Sequence, residues 1–446
     1  MLQVKEKIPD MSFEQKRALV KQLLQNKVRG EIKTDQGYDT GKDIPPEYTD
    51  FEHFPQYRAI KKQSENMKQL EIRNPYFDCH SDVSNDTVLI DDKDYINYSG
   101  YNYLGFSGDP EINEATKKTI DQYGTSVSAS RIVSGEIVIH KELEKEIASL
   151  IGTDDCVVAV SGYATNTSTI GYLFGPKDVI FHDSLSHNSI MIGCKLSGAR
   201  RIPFPHNNFK ALEALMEENR YYYQKALIVI EGVYSMDGDI SRLNEFIELK
   251  KRYKAFLMVD EAHSMGTIGK NGFGIREYCN VDPYDVDIWM GTLSKSFASC
   301  GGYIAGKKAL IENLKYNAPG CIMYSAGITP TNAAAALASV RKLKREPEHV
   351  ERLRSNFEYF LYIAQQHNLD TGLSKDSPII PIIIRNSISS LRIANRLFEN
   401  GINVHPILYP AVPEDEARLR FFITAKHTKE QIKYTIETIS NELKNI

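Results

Sequence analysis

The sequence predicts an α/β fold: a large domain with a mainly parallel sheet between helices, followed by a smaller α+β C-terminal domain. Three observations lead there. From residue 111 onward, helical stretches alternate with short apolar runs at 156–160, 178–181, 226–230, 255–259 and 287–290. Each run is bounded by polar residues or glycine, and near-continuous apolar composition is what a strand buried on both faces requires. Strands alternating with helices form parallel sheets covered on both sides. After about residue 330 the order changes, with helical 331–343 and 348–367 preceding strand-like 378–384 and 421–423.

Taken in order, residues 1–50 read as an N-terminal helix and linker. Ser12 with Gln15 forms a weak capping box, and Phe13, Val20, Leu23 and Leu24 make an apolar stripe over 13–25. The polar stretch 30–46 contains three glycines and ends in Pro45-Pro46, as linkers do. The stripe is a candidate docking element for a partner; an arm packed on the main domain is the alternative. Residues 51–100 predict an N-terminal arm with a helix over 57–72, then a small hairpin from Thr87-Val-Leu-Ile and Asp94-Tyr-Ile-Asn-Tyr. Residues 101–330 form the large domain and 331–446 the small one.

Composition excludes several function classes. Of 446 residues 42% are hydrophobic and 25% charged, and the net charge of -4 gives no electrostatic case for nucleic acid. No apolar run reaches the roughly 18 residues that span a bilayer. Met1-Leu-Gln-Val-Lys-Glu-Lys is not followed by a signal-peptide apolar core. The six cysteines lack CxxC spacing and read as reduced thiols of a cytoplasmic protein, with no metal site expected.

In sheets of this kind ligands bind beyond the carboxyl ends of the strands. After 156–160 comes Ser161-Gly162-Tyr163-Ala164, small residues opening a helix whose free amides suit a phosphate. After 178–181 comes His182-Asp-Ser-Leu-Ser-His187, where His187 lies in a polar turn and can lie flat on a planar ring. After 226–230 comes Glu231-Gly-Val-Tyr-Ser235-Met-Asp237-Gly-Asp239, whose spacing is not that of a calcium loop. Asp260-Glu-Ala-His263 follows the fourth run. Neither GxxxxGK[ST] nor HExxH occurs in the chain, so a nucleotide motor and a zinc protease are unsupported. After the fifth run Gly291-Thr292-Leu-Ser-Lys295 presents one amine. A lysine to hold an aldehyde and an aspartate to hold a pyridinium nitrogen are what pyridoxal 5′-phosphate (PLP) requires of a protein.

Together these residues resemble the α-oxoamine synthases, fold-type I PLP-dependent transferases that include serine palmitoyltransferase, 8-amino-7-oxononanoate synthase, 5-aminolevulinate synthase and 2-amino-3-ketobutyrate CoA ligase. The resemblance covers about residues 75–440. Its landmarks also include Tyr101-Asn102-Tyr103-Leu-Gly, Ser130-Arg131-Ile-Val-Ser-Gly135, His140-Lys-Glu-Leu-Glu144 and Tyr409-Pro-Ala-Val-Pro413 with Arg418-Leu-Arg420. It implies that Lys295 bonds the cofactor, Asp260 pairs with its ring nitrogen, His263 reaches its phenolic oxygen and His187 stacks on the ring. Ser161, Gly162, Tyr163 and Thr292 then hold the phosphate, joined by Ser325 of a second subunit, and Ser235 lies nearby. Asn102 and Arg420 are the implied substrate contacts, Arg420 for the amino-acid carboxylate. The implied reaction is a decarboxylative Claisen condensation of glycine, alanine or serine with an acyl thioester, giving an α-amino ketone and CO2 in a cytoplasmic homodimer. The thioester carrier, coenzyme A or an acyl carrier protein, stays open; the 12–24 stretch resembles helices at module starts of polyketide and nonribosomal peptide assembly lines, which favours the carrier protein and secondary metabolism. A ketobutyrate-ligase, aminotransferase or lyase activity on the same fold and a non-catalytic synthase subunit are the alternatives. Tyr101-Asn102 departs from the Asn-Asn or Asn-Asp common in the family.

Overall fold

The computed structural model describes residues 44–444; the expected helix over 13–25 lies outside them. The chain divides into two compact units, 1–74 and 75–446. In the first, Asp50 caps a short turn by accepting from the Glu52 amide at 2.9 Å, and Pro55 opens the helix Pro55–Gln69. Proline suits that position because a first-turn amide has no intrahelical acceptor anyway.

Among the described residues the second unit holds thirteen strands. β1 (Thr87–Ile90) and β2 (Lys93–Asn97) form the expected hairpin. The large sheet comprises β3 (Asp155–Ala159), β4 (Val179–Asp183), β5 (Arg200–Phe204), β6 (Ala226–Glu231), β7 (Phe256–Asp260), β8 (Ile288–Thr292) and β9 (Gly302–Gly306). Small strands follow: β10 (Ile379–Ile383), β11 (Ile402–Asn403), β12 (His405–Ile407) and β13 (Arg418–Phe422).

The large sheet runs β3-β9-β8-β7-β6-β4-β5. All neighbours are parallel except β9, which lies antiparallel between β3 and β8. Every residue of β4 and β6 is buried, which explains their apolar composition. The carboxyl ends of β3, β4, β6, β7 and β8 therefore emerge on one side, where the chemistry-bearing residues were expected. β13 is the centre of an antiparallel three-stranded sheet with β10 and β12, and β11 pairs parallel with β2. The helix Pro330–Arg345 packs on the helices Pro110–Tyr123 and Val138–Ile151, and Lys342 pairs with Glu111 at 3.3 Å. No helix among the described residues is long and apolar enough to cross a membrane.

β5, β9 and the short β11 and β12 were not expected from the sequence. β5 reads Arg-Arg-Ile-Pro-Phe, too polar to register as a run, and β9 is a five-residue segment with glycine at each end.

Candidate active site

The strand ends enclose a cavity of about 500 Å³. Its lining includes Ser161, Gly162 and Tyr163 with Thr292 beside Gly162, then His187, Asp260, His263 and Lys295, and Arg420 with Ser235 beside it.

β7 delivers Asp260 almost wholly buried, 4% exposed. Its Oδ2 accepts from Asn166 Nδ2 at 2.8 Å and its Oδ1 from the Ala262 amide at 2.9 Å. The Asn166 amide donates at 2.9 Å to Ser189 Oγ as well, and that hydroxyl lies 2.7 Å from His187 Nδ1. With Asn166 donating to Ser189, the hydroxyl hydrogen is free for Nδ1, which leaves the hydrogen of His187 on Nε2. Burial holds His187 below its ordinary value, so it is neutral. The His187 backbone amide is fixed by Glu231 Oε1 at 2.6 Å. Glu231 closes β6, and burial, with Asp260 nearby, pushes its carboxyl well above the usual range.

His263 is held well below its ordinary value by burial, and Tyr103 Oη lies 2.7 Å from its Nδ1. Burial also keeps the Tyr103 phenol protonated. With that hydroxyl as donor, Nε2 of His263 carries the hydrogen and can donate to an anionic oxygen.

Lys295 follows β8. Gly291 cannot carry a side chain there, because a Cβ would stand 2.2 Å from the Tyr303 ring. The Lys295 amine makes no hydrogen bond or ion pair among the described residues and lies 5.5 Å from the Tyr101 ring centroid. Burial lowers its pKa to about 8, opposed by the Asp260 carboxylate and by Glu231 and helped by the Arg420 cation. An amine depressed this far is partly neutral near pH 7, as a nucleophile must be.

Ser161 caps the helix Gly162–Leu173, its Oγ accepting from the Ala164 amide at 3.3 Å. The Gly162 and Tyr163 amides, in the first turn, have no intrahelical acceptor, and both residues line the cavity. A Cβ on Gly162 would stand 2.9 Å from Thr292 Oγ1, so only glycine brings these amides beside that hydroxyl. Arg420 of β13 donates through Nη1 to the Ser235 carbonyl at 2.9 Å and lies over the Phe422 ring at 4.6 Å. Its other guanidinium nitrogens have no partner among the described residues.

A free amine, an opposed buried carboxylate, amides for an anion and a neutral imidazole donor are a donor set that fits PLP. Residues 93–439 match the family described as aminotransferase class I and II. The chain belongs to that family. It is 38% identical over 350 residues to 8-amino-7-oxononanoate synthase of Coprothermobacter proteolyticus, covering 78% of this chain and 88% of that one. It is equally 38% identical over 353 residues to serine palmitoyltransferase of Sphingobacterium spiritivorum, covering 78% and 87%. A solved serine palmitoyltransferase with its PLP internal aldimine superposes with a TM-score of 0.82 at 28% identity, over 87% of this chain and 98% of that one. The serine palmitoyltransferase of Sphingomonas wittichii gives 0.82 at 29%, over 88% and 98%. The fold is the fold-type I PLP transferase fold, and PLP is the cofactor of this aminotransferase class I and II member.

Two expected residues do not line the cavity. Asn102 is buried, and its amide is used up: it donates to the Ser84 carbonyl at 3.2 Å and Asn85 Oδ1 at 2.5 Å, and accepts from the Ser107 amide at 3.1 Å. That bonding orders the 84–107 segment and uses both hydrogens of the Asn102 amide there. Ser325 stands half-exposed after Gly320, outside the lining of this subunit's cavity. Conversely, Asn166 and Ser189 line the cavity without having been singled out, and Tyr101 and Glu231, which belong to quoted motifs, line it without having been assigned a site role. Asn166 had a usable signal, since it lies four residues after Gly162 on the same helix face.

Proposed function

We propose that this protein is a PLP-dependent α-oxoamine synthase. It joins a small amino acid to an acyl thioester with loss of CO2, the reaction class of its named relatives. One observation carries the reading: the unpartnered, desolvated Lys295 amine and the buried Asp260 carboxylate line a single cavity with Arg420. When bound, PLP supplies an electron sink for the bond-breaking at the amino-acid Cα.

The chain's own groups divide the work. Lys295 Nζ would hold the cofactor, and as a free amine it is the base that would take the Cα proton and return it. Asp260, oriented by Asn166 and the Ala262 amide, keeps a proton on the ring nitrogen. Neutral His187 would face the ring without adding charge, and His263 Nε2 would donate to the phenolic oxygen. The Gly162 and Tyr163 amides and Thr292 hold the phosphate, which anchors the reacting end. Arg420 binds the amino-acid carboxylate with the donors that Ser235 leaves free. The half-exposed position of Ser325 supports a role in a partner subunit's phosphate site, and hence a homodimer. Residues 1–50 are proposed to dock an acyl carrier protein, and residues 101–330 and 331–446 to act as cofactor and substrate lobes.

The test is release of CO2 from carboxyl-labelled glycine, alanine or serine with an acyl thioester presented on coenzyme A or on a carrier protein. Thioester-dependent CO2 release is expected. Thiol release with no CO2 would overturn the decarboxylative reading in favour of a ketobutyrate-type condensation that keeps the carboxylate.

A further inference from the structure

A second charged centre lies beside the cavity wall, and no step above uses it. His206, just beyond β5, sits between two carboxylates: Nδ1 is 2.9 Å from Asp183 Oδ1 and Nε2 is 3.0 Å from Asp239 Oδ2. Ionised carboxylates only accept, so contacts of this kind on both ring nitrogens require an imidazolium. Burial opposes that charge, yet the hydrogen bonds to Asp183 and Asp239 raise the ring to about 10. Asn207 closes the same circuit. Its amide donates to Asp183 Oδ2 at 2.7 Å, and its side chain donates to Asp239 Oδ2 at 2.9 Å and to the Ile240 carbonyl at 3.0 Å. The Tyr234 ring stands edge-on to His206 at 4.5 Å.

The loop anchored this way is the one that contacts Arg420. Val233 and Ile240 bridge its base, and the Tyr234 amide donates to the Asp239 carbonyl at 3.0 Å. Its tip offers the Ser235 carbonyl and the Met236 sulfur to Arg420 Nη1 at 2.9 and 3.2 Å. Arg418 pairs with Asp237 beside them and donates to the Met236 carbonyl at 3.3 Å. The base of the loop is thus fixed by β4 and His206, and its tip sets the orientation of the arginine.

We propose that His206 is a positioning residue for amino-acid recognition: by bridging Asp183 and Asp239 it fixes residues 232–241, so that Ser235 and Met236 hold the Arg420 guanidinium ready for the substrate carboxylate. The proposal rests on the reading of Arg420 as the carboxylate receptor. His206 touches neither substrate nor cofactor and acts through the loop.

The test compares His206→Gln, Asp239→Asn and Arg420→Lys as holoenzymes. His206→Gln is expected to raise the amino-acid KM about tenfold to hundredfold, as loss of a charge-assisted hydrogen bond does. The thioester KM is expected to change by less than about twofold, since uniform binding there is untouched. Hydrogen exchange in peptides spanning 232–241 should quicken while that of β6 and β7 does not. His206→Arg, which restores a cation with several donors, should recover part of the KM. If His206→Gln does not fold, the nearly isosteric Asp239→Asn carries the same expectation. An unchanged amino-acid KM in both variants, or equal rises in both KM values with no local change in exchange, overturns the proposal. Arg420→Lys separates the two claims. If it raises the amino-acid KM while His206→Gln is silent, only the positioning role falls; if Arg420→Lys is itself silent, the carboxylate reading falls.

Discussion

The two walls of the cavity are built differently. The large-sheet wall takes Glu231, Asp260 and Lys295 from the ends of β6, β7 and β8, neighbouring parallel strands buried along most of their length. Its groups are desolvated, and its key amine has no partner among the described residues. The opposite wall is one strand, β13, whose Arg420 is held by a backbone carbonyl at the tip of a loop. Burial shifts Lys295 towards reactivity, whereas a neutral carbonyl acceptor steadies a guanidinium without quenching its charge. The first wall is arranged for reaction and the second for recognition, so substitutions on the first should lower kcat and those on the second should raise KM.

Lys295→Ala tests that contrast most severely. Turnover should fall by roughly 10⁴-fold or more, the scale on which loss of a covalent catalytic group is felt; CO2 release near the wild-type rate would break the comparison. Asp260→Asn keeps the shape and removes the charge. It should lower kcat on the order of 10²–10³-fold, as loss of one preorganised electrostatic partner does, with steady-state kinetics showing little change in amino-acid KM. Arg420→Lys on the opposite wall should instead raise that KM about tenfold or more, and a larger fall in kcat than rise in KM would erase the distinction between the walls. The Lys295 amine near pKa 8 sharpens the picture through pH. Only the neutral amine attacks an aldehyde, so capture of PLP by the cofactor-free chain should speed up about tenfold per pH unit below 8 and level off above it. Stopped-flow absorbance would record this, and a flat profile between pH 6 and 8 would contradict it. The smallest change in catalysis is expected at Gly291→Ala. Its Cβ would collide with Tyr303, and thermal denaturation should show a loss of about 1–3 kcal/mol, typical of overpacking.

Much of the first wall was readable because its residues follow apolar runs, and the sequence alone marks where such runs end. His187, Asp260 and Lys295 each lie at or just beyond a carboxyl end. Asn166 and Asp260 are a contact across 94 positions of chain, and no local pattern announces it. Asn102 shows the converse. It stands next to Tyr101, which does line the cavity, but its amide is consumed within the 84–107 segment, and bonding of that kind leaves no trace in composition. β9 stayed hidden because its terminal glycines serve packing: a Cβ on Gly302 would lie 2.6 Å from the Gly162 Cα, and one on Gly306 would lie 2.8 Å from the Asp287 carbonyl. Its insertion between β3 and β8 brings the Gly162 turn onto Thr292, so the least strand-like segment of the sheet shapes the phosphate end.

β5 terminates the large sheet, and a terminal strand with unpaired backbone groups invites association with other chains. Here that strand carries Arg200 and Arg201 on exposed positions and Pro203, which has no amide hydrogen to offer. Like charges repel an incoming copy and the proline interrupts the ladder it would have to form. The protein should therefore resist edge-to-edge aggregation at high concentration, and replacing Pro203 and the two arginines by threonine should make it precipitate sooner.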